Sequence, residues 1–568
     1  MSVTESTIPS PHDKSIFGYQ PMPDWVTEFR DGQWDIIQQI NEAFKHVDVV
    51  MVQAPTGTGK SLIGESVRRL LAGNSIYACS TKALQDQFLA DYPYAKVIKG
   101  RSNYLTSQGM LDQFGNRAPS HYRWSSVTCA DCTFTPTTGE CRWCPTRNLC
   151  PYQVAKMRAE EAELAVLNTS YLFTVASKIG KSSGFIDRDL MILDEADMLE
   201  SEMLGHVEVE ISQRRMQQMG ISPPKKKTVE SSWLAWVDQE AMPKVRDFRN
   251  TLPSPNNKTT TLEQMREYDK ASELLTRLGV LSTELKRPEP GWVYDGYDDG
   301  NVIFRPIKIG KFGRDLLWPH ADKFLLMSAT ILSADLMADE LGYTGTYELV
   351  DVPSNFPIEN RKIHVVPIAD MAYKNKPYAW PKMADGIRGV LARHPDERIL
   401  VHTVSYELAR YLYDAINPGA NRPVLTYTDS RGKGDTLEQY KARPNSVLLA
   451  PSMDRGVDLP DDLCRVQVVA KIPYPNVKDK RISARMYGSG GRGWYALQTI
   501  RTLIQMTGRG IRSKDDHATT YLLDSQFVTN LRKNDYLFPK WWSDALDYKF
   551  PPRRLLAGIT QTTNTKDN

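Results

Sequence analysis

Short apolar runs alternate with amphipathic stretches along most of the chain, and the period of each run predicts its element. Residues 47–54 are apolar apart from Asp48 and Gln53, the pattern of a strand buried on both faces of a parallel sheet. Residues 60–71 carry apolar side chains at 62, 63, 67, 70 and 71, which is helical spacing. A short strand at 75–80 and a helix near 82–89 repeat the unit. The alternation fails at 100–150, where Gly, Ser, Thr and Cys dominate, and resumes at 164–168 and 190–193. Residues 201–312 differ again, with long polar helical stretches, the run Lys225-Lys226-Lys227 and a turn-rich segment near 287–301. Buried strands then recur at 323–327, 398–404, 447–450, 466–472 and 520–523.

This pattern predicts an α/β protein of two parallel-sheet domains, the first split by two insertions. A leader over 1–24 precedes a first domain built from 25–98, 156–200 and 313–350. Its insertions are a cysteine-rich segment, 99–155, and a mostly helical one, 201–312. The second domain spans 351–550, and 551–568 form a Thr/Asn/Lys-rich tail.

Length agrees: 568 residues at ~150 per domain exclude a single compact unit. With 41% apolar and 24% charged residues, wholesale disorder is excluded as well. Lys+Arg 71 against Asp+Glu 68 leaves a net charge of +3, so any surface for a polyanion is local. No apolar run approaches the roughly 18 residues of a membrane helix, and no membrane contact is expected. The opening residues have neither a basic nor an apolar region of the secretory kind, which points to a cytoplasmic protein. Five of the seven cysteines fall between Cys129 and Cys150, spaced C-x2-C-x8-C-x2-C-x5-C. In a chain without an export signal, that crowding indicates metal before disulfides.

The chemistry gathers at three places. Ala54-Pro-Thr56-Gly57-Thr58-Gly59-Lys60-Ser61 lies between a predicted strand and a predicted helix, where a phosphate-binding loop belongs. Its glycines let backbone N–H groups converge on phosphate oxygens, and the helix N-terminus adds partial positive charge. Lys60 is placed for the β/γ-phosphates of ATP and Ser61 for Mg²⁺. Asp194-Glu195-Ala196-Asp197 ends a buried strand, with Asp194 suited to Mg²⁺ and Glu195 to the attacking water. Gln505-Met-Thr-Gly-Arg509-Gly-Ile-Arg512, far downstream, offers two guanidinium groups for the γ-phosphoryl charge. They serve only if the two domains clamp one nucleotide.

Taken in order, these segments resemble a superfamily-two helicase, and within it the XPD/DinG-like family. Phe29-Arg30-Asp-Gly-Gln33 resembles its adenine-reading motif, Thr81-Lys-Ala-Leu-Gln85 its motif Ia, and Ser328-Ala329-Thr330 its motif III. Ser354-Asn-Phe356-Pro357 resembles the linker between motor domains, His402-Thr403-Val-Ser405 motif IV, and Arg455-Gly456-Val-Asp458 motif V. The resemblance implies two RecA-like motor domains, a metal insertion and an arch-like helical insertion. It also implies ATP hydrolysis driving 5′→3′ movement on single-stranded or forked DNA by a monomer. Gly456 and Asp458 then join the nucleotide site. Thr81, Gln85, Thr403 and Ser405 are carried over as nucleic-acid contacts. In the metal insertion, Arg101, Tyr104, Tyr122, Arg123 and Trp124 offer charge and stacking for a wedge at a fork, and Tyr122-Arg123-Trp124 equally suit packing of the insertion itself. A bacterial cell, a plasmid or a phage are all compatible sources.

The sequence departs from the family twice. The acidic box ends in Asp197 where the family more often has His, a tetrapeptide shared with RNA helicases, so an RNA helicase stays open. So does a nucleic-acid binding module switched by ATP that separates no strands. Gly100-Arg101-Ser-Asn-Tyr104-Leu leads to Thr106, a poor ligand, where cluster-bearing relatives place their first cysteine. Cys129, Cys132, Cys141, Cys144 and Cys150 therefore suit either an iron–sulfur cluster of the [4Fe–4S] type or Zn²⁺.

Overall fold

The computed structural model describes residues 8–18, 22–71, 73–104, 128–129, 150–176, 185, 187–224, 230–253, 261–287, 291–296, 300–452, 459, 461–508, 510 and 516–548. Seven parallel strands build the first lobe: β1 (Val49–Gln53), β2 (Ser75–Cys79), β3 (Lys96–Val97), β4 (Leu164–Asn168), β5 (Arg188–Asp194), β9 (Ala321–Ser328) and β10 (Tyr347–Asp351). Their order is β10-β1-β9-β5-β2-β4-β3. β1, β2 and β4 are buried at every residue, which is why they lack alternation.

Between β5 and β9 lies the second insertion. It is largely helical, with α5 (Leu262–Leu285) capped by a reciprocal Thr261/Gln264 box. It also holds a three-stranded antiparallel sheet that the polar periodicity hid: β6 (Val209–Ile211), β7 (Trp292–Gly296) and β8 (Val302–Pro306), ordered β6-β8-β7. Trp233 and Trp236 pack on Phe304 of that sheet, and all three join the buried cluster that continues into the first lobe's core.

The second lobe repeats the first design with β11 (Ile363–Ala369), β12 (Ile399–His402), β13 (Val424–Thr426), β14 (Val447–Ala450), β15 (Val466–Val469), β16 (Thr519–Asp524) and β17 (Leu546–Asp547). The order is β13-β14-β12-β15-β16-β11-β17 and the pairings are parallel. Other helices that matter below are α1 (Gln33–Ala43), α2 (Lys60–Leu71), α3 (Lys82–Asp91), α4 (Leu199–Val207), α6 (Ala334–Leu341), α7 (Tyr406–Ile416), α8 (Lys480–Tyr487) and α9 (Gly491–Thr507).

The lobes are in contact through side chains of both kinds. Leu332, in the left-handed region at φ 64°, leaves the first lobe and packs with Ile363, Leu497 and Ile500 of the second. Asn355 of the connector donates to the Asp31 carbonyl at 2.8 Å. No described helix is long and apolar enough to cross a membrane.

Candidate active site

The phosphate loop leaves the C-terminal end of β1 and enters α2, the crevice where open α/β sheets hold their ligands. Gly57 and Gly59 sit at φ 84° and 80°, so the loop turns through backbone that side chains rarely adopt. A Cβ on Gly59 would also lie 2.4 Å from the Gln33 amide nitrogen. That nitrogen donates to the Thr58 carbonyl at 2.7 Å, and the Arg30 guanidinium donates to the Gly57 carbonyl at 2.5 Å. Arg30 and Gln33 thus brace the loop through two of its carbonyls.

The acidic box follows β5. Asp194 accepts from the Tyr77 hydroxyl at 3.1 Å and from the Glu195 N–H at 3.0 Å. Burial, with Asp194 beside it, pushes the Tyr77 phenol far above its ordinary range, so it remains a donor. Glu195 itself adopts the left-handed conformation, φ 52°. Such a backbone in a non-glycine residue is held by its surroundings and is frequent at working sites.

Asp197, one turn on, is buried and takes two hydroxyl donors from the end of β9: Ser328 at 2.7 Å and Thr330 at 3.1 Å. The Thr330 hydroxyl in turn accepts from Gln505 at 3.0 Å, and the Thr330 carbonyl accepts from Arg501 at 3.1 Å. Both donors lie on α9 of the second lobe. One hydrogen-bonded path therefore runs from the acidic box through 328–330 into the other lobe.

A second polar cluster lies beside it and has no motif to announce it. Glu200, in the first turn of α4, accepts from Arg481 at 2.7 Å, the Trp494 indole at 3.0 Å and Gln498 at 3.1 Å. Burial disfavours its charge, but Arg481 and Arg485 outweigh it and hold the carboxyl well below the usual range. Glu340 on α6 lies against the same Gln498 at 3.0 Å.

Several expected contacts are placed elsewhere. Gln85 is completely buried, donates to the Ile98 and Val166 carbonyls and accepts from Asn168, so its amide is spent inside the lobe. Thr403 is equally buried, with its hydroxyl on the Ser405 carbonyl. Neither can reach a nucleic acid, a correction to the motif reading. Thr81 and Ser405 cap α3 and α7 by accepting the Leu84 and Leu408 N–H groups. Both hydroxyls keep a proton to donate. Val404, between Thr403 and Ser405, has φ 61°, an unusual strain for a β-branched residue.

At the base of the first insertion, Arg101 stacks over the Tyr152 ring at 4.8 Å, and Tyr104 meets the same ring edge-on at 5.7 Å. The Cys129 and Cys150 sulfurs are 3.7 Å apart and buried. The hydrogen bond from Cys129 lowers the Cys150 thiol to about 6 against the effect of burial, which favours thiolate. Two thiolates on one tetrahedral zinc, each at ~2.3 Å, stand about 3.8 Å apart, so the pair fits a shared metal. Among the described residues no group of three metal-ligating side chains gathers. Cys132, Cys141, Cys144, Tyr122, Arg123, Trp124, Lys225, Lys226, Lys227, Gly456, Asp458, Arg509 and Arg512 lie outside the described residues.

Two parallel-sheet lobes, a glycine-bearing phosphate loop on one and a helix of the other bonded to its acidic-box network are the parts that a two-lobed nucleotide-dependent motor needs. Residues 387–545 match the family described as helicase C-terminal domain. Over 605 residues the chain is 24% identical to the ATP-dependent DNA helicase YoaA of Escherichia coli, spanning 91% of this chain and 93% of that protein. It is 25% identical over 288 residues to the ATP-dependent DNA helicase DinG of Photobacterium profundum, 46% of this chain and 41% of DinG. A solved XPD helicase shares the fold with a TM-score of 0.59 at 16% identity, covering 90% of this chain and 98% of the other. Along most of its length the chain is thus similar to helicases of the XPD/DinG type.

Proposed function

We propose that this protein is an ATP-dependent DNA helicase. It hydrolyses ATP between its lobes and uses the cycle to move along single-stranded DNA and to separate duplexes. The observation that carries the reading is the path from Asp197 through Ser328 and Thr330 to Gln505, since it ties the hydrolytic strand end to the lobe that must move.

In this reading Thr56–Ser61 bind the triphosphate through backbone N–H groups, and Lys60 neutralises the β/γ oxygens. Ser61 and Asp194 hold Mg²⁺, the ion that offsets charge on the transferred phosphoryl group. Glu195 orients a water for in-line attack and takes its proton. Arg509 and Arg512 supply positive charge from the second lobe, and Gly456 and Asp458 complete the site. Arg30 and Gln33 keep the loop in its binding shape beside the adenine. The hydroxyls of exposed Thr81 and half-buried Ser405 suit contacts to a sugar–phosphate backbone without regard to sequence.

Movement 5′→3′, action as a monomer in the cytoplasm of a bacterial cell, and a wedge containing Arg101 and Tyr104 follow from the family. We assign Cys129 and Cys150 to a metal held by the cysteine-rich insertion, an iron–sulfur cluster or zinc. The relatives named as DNA helicases favour DNA over RNA. Glu195, a residue needed for turnover more than for binding, favours hydrolysis over an ATP-gated binding module.

The test is strand separation on forked DNA with a 5′ or a 3′ tail, with ATP turnover measured on single-stranded DNA and RNA and metal analysis of the same sample. Unwinding from the 5′ tail with stimulation by DNA is expected. No unwinding from either tail, or stimulation by RNA alone, overturns the reading.

A further inference from the structure

Two carboxyl groups lie buried side by side at the lobe interface, outside the nucleotide site. Glu200 is 6% exposed and Glu340 3%. Both come from the first lobe, and both are met by the second. The Gln498 amide donates to Glu200 at 3.1 Å and to Glu340 at 3.0 Å. Arg481 donates to Glu200, and Arg501 stands 3.7 Å from Glu340. Arg485 lies 4.9 Å over the Trp494 ring, whose N–H also reaches Glu200. Two adjacent buried carboxylates repel one another unless cations or a shared proton compensate.

The same helix that answers this pair also reaches the hydrolytic path. On α9, Gln498 and Arg501 meet the carboxyl pair, while Arg501 and Gln505 hold Thr330. The seating of α9 on the carboxyl pair therefore sets where Gln505 stands relative to Thr330 and Asp197.

We propose that the Glu200–Glu340 pair is a positioning element that seats the second lobe on the acidic-box side of the first by sharing one proton beneath Gln498. The inference rests on the ATPase reading above and adds a pH dependence to it. Glu340 faces Glu200 of α4, Arg485 of α8, and Gln498 and Arg501 of α9. Burial and then Glu200 push it up to about 8, with Arg501 opposing. A carboxyl raised in this way contributes its stability fully below the ordinary carboxylate range, and that contribution is lost as pH rises through about 8. Glu200 is shifted the other way, so its contribution is present above the ordinary range and disappears only in strong acid.

The experiment uses the full chain, with ATP turnover, ATP affinity and small-angle scattering followed between about pH 6 and pH 10. The wild-type protein is expected to lose turnover and expand above about pH 8 while its ATP affinity holds. Glu340→Gln keeps a neutral hydrogen-bonding group and is expected to remove that alkaline limb and stay compact. Glu200→Gln leaves Arg481 and Arg485 without their carboxylate and is expected to lower turnover at least ~10-fold, with an ATP Kd within about twofold of wild type. Superimposable pH profiles for wild type and Glu340→Gln overturn the proposal, as does wild-type turnover in Glu200→Gln. A wild-type protein with no turnover at any pH defeats the ATPase reading instead, and scattering alone then decides the seating.

Discussion

Gly59 shows how closely one position can be specified. Its φ of 80° strains any side chain, and a Cβ 2.4 Å from the Gln33 nitrogen would push that amide off the Thr58 carbonyl. Gly59→Ala is therefore expected to weaken ATP binding by at least ~10-fold, about 1.4 kcal/mol, in a nucleotide titration. Lys60→Ala should abolish turnover by removing the charge on the β/γ oxygens. Glu195→Gln should still bind ATP while turnover falls ~10²–10⁴-fold, and rapid hydrolysis by this variant would refute the assignment of the base. At this scale the sequence was most legible where chemistry needs a fixed spacing, as in 54–61 and 194–197. It was least legible for Gln85 and Thr403, because a motif letter does not say whether its side chain turns inward. Glu200 was invisible for a related reason: its partners Arg481, Trp494 and Gln498 lie almost three hundred positions away.

Helix α2 carries a hidden dependency among its elements. Glu65 is fully buried and receives Arg68 at 2.7 and 2.8 Å, Arg69 at 2.7 Å and the Tyr94 hydroxyl at 2.7 Å. Removing one member of a buried charged network leaves the others uncompensated. Glu65→Ala is thus expected to destabilise the first lobe by ~3–5 kcal/mol, read as a lower denaturant midpoint. The central strands were readable as unbroken apolar runs. The edge strands β3, β10, β13 and β17 were not: β10, for example, exposes Glu348 and Leu349 and has the mixed composition of an edge. The small antiparallel sheet was missed because its strands of three and five residues sit among polar helices.

Over the whole molecule, the presence of two parallel-sheet lobes is the part that periodicity conveyed best, since it depends on many positions at once. Docking between lobes depends on few, and none is periodic. The cysteine-rich insertion offers a test at this scale. If Cys150 holds metal, Cys150→Ser should lower the metal content of the purified chain and speed protease cutting within 99–155, at little cost to ATP affinity. Unchanged metal and cleavage would remove Cys150 from the ligand set.

The small sheet has a mechanical consequence. It grows from the first lobe, yet its Arg305 pairs with Asp479 at 2.8 Å, while the Tyr294 and Pro306 carbonyls receive Lys480 at 3.1 Å and Arg481 at 2.9 Å. These bonds add to those that α9 makes with Thr330, Glu200 and Glu340, so the helical insertion also ties the first lobe to α8 of the second. Any displacement of α8 away from the first lobe must break these three bonds or carry the small sheet with it.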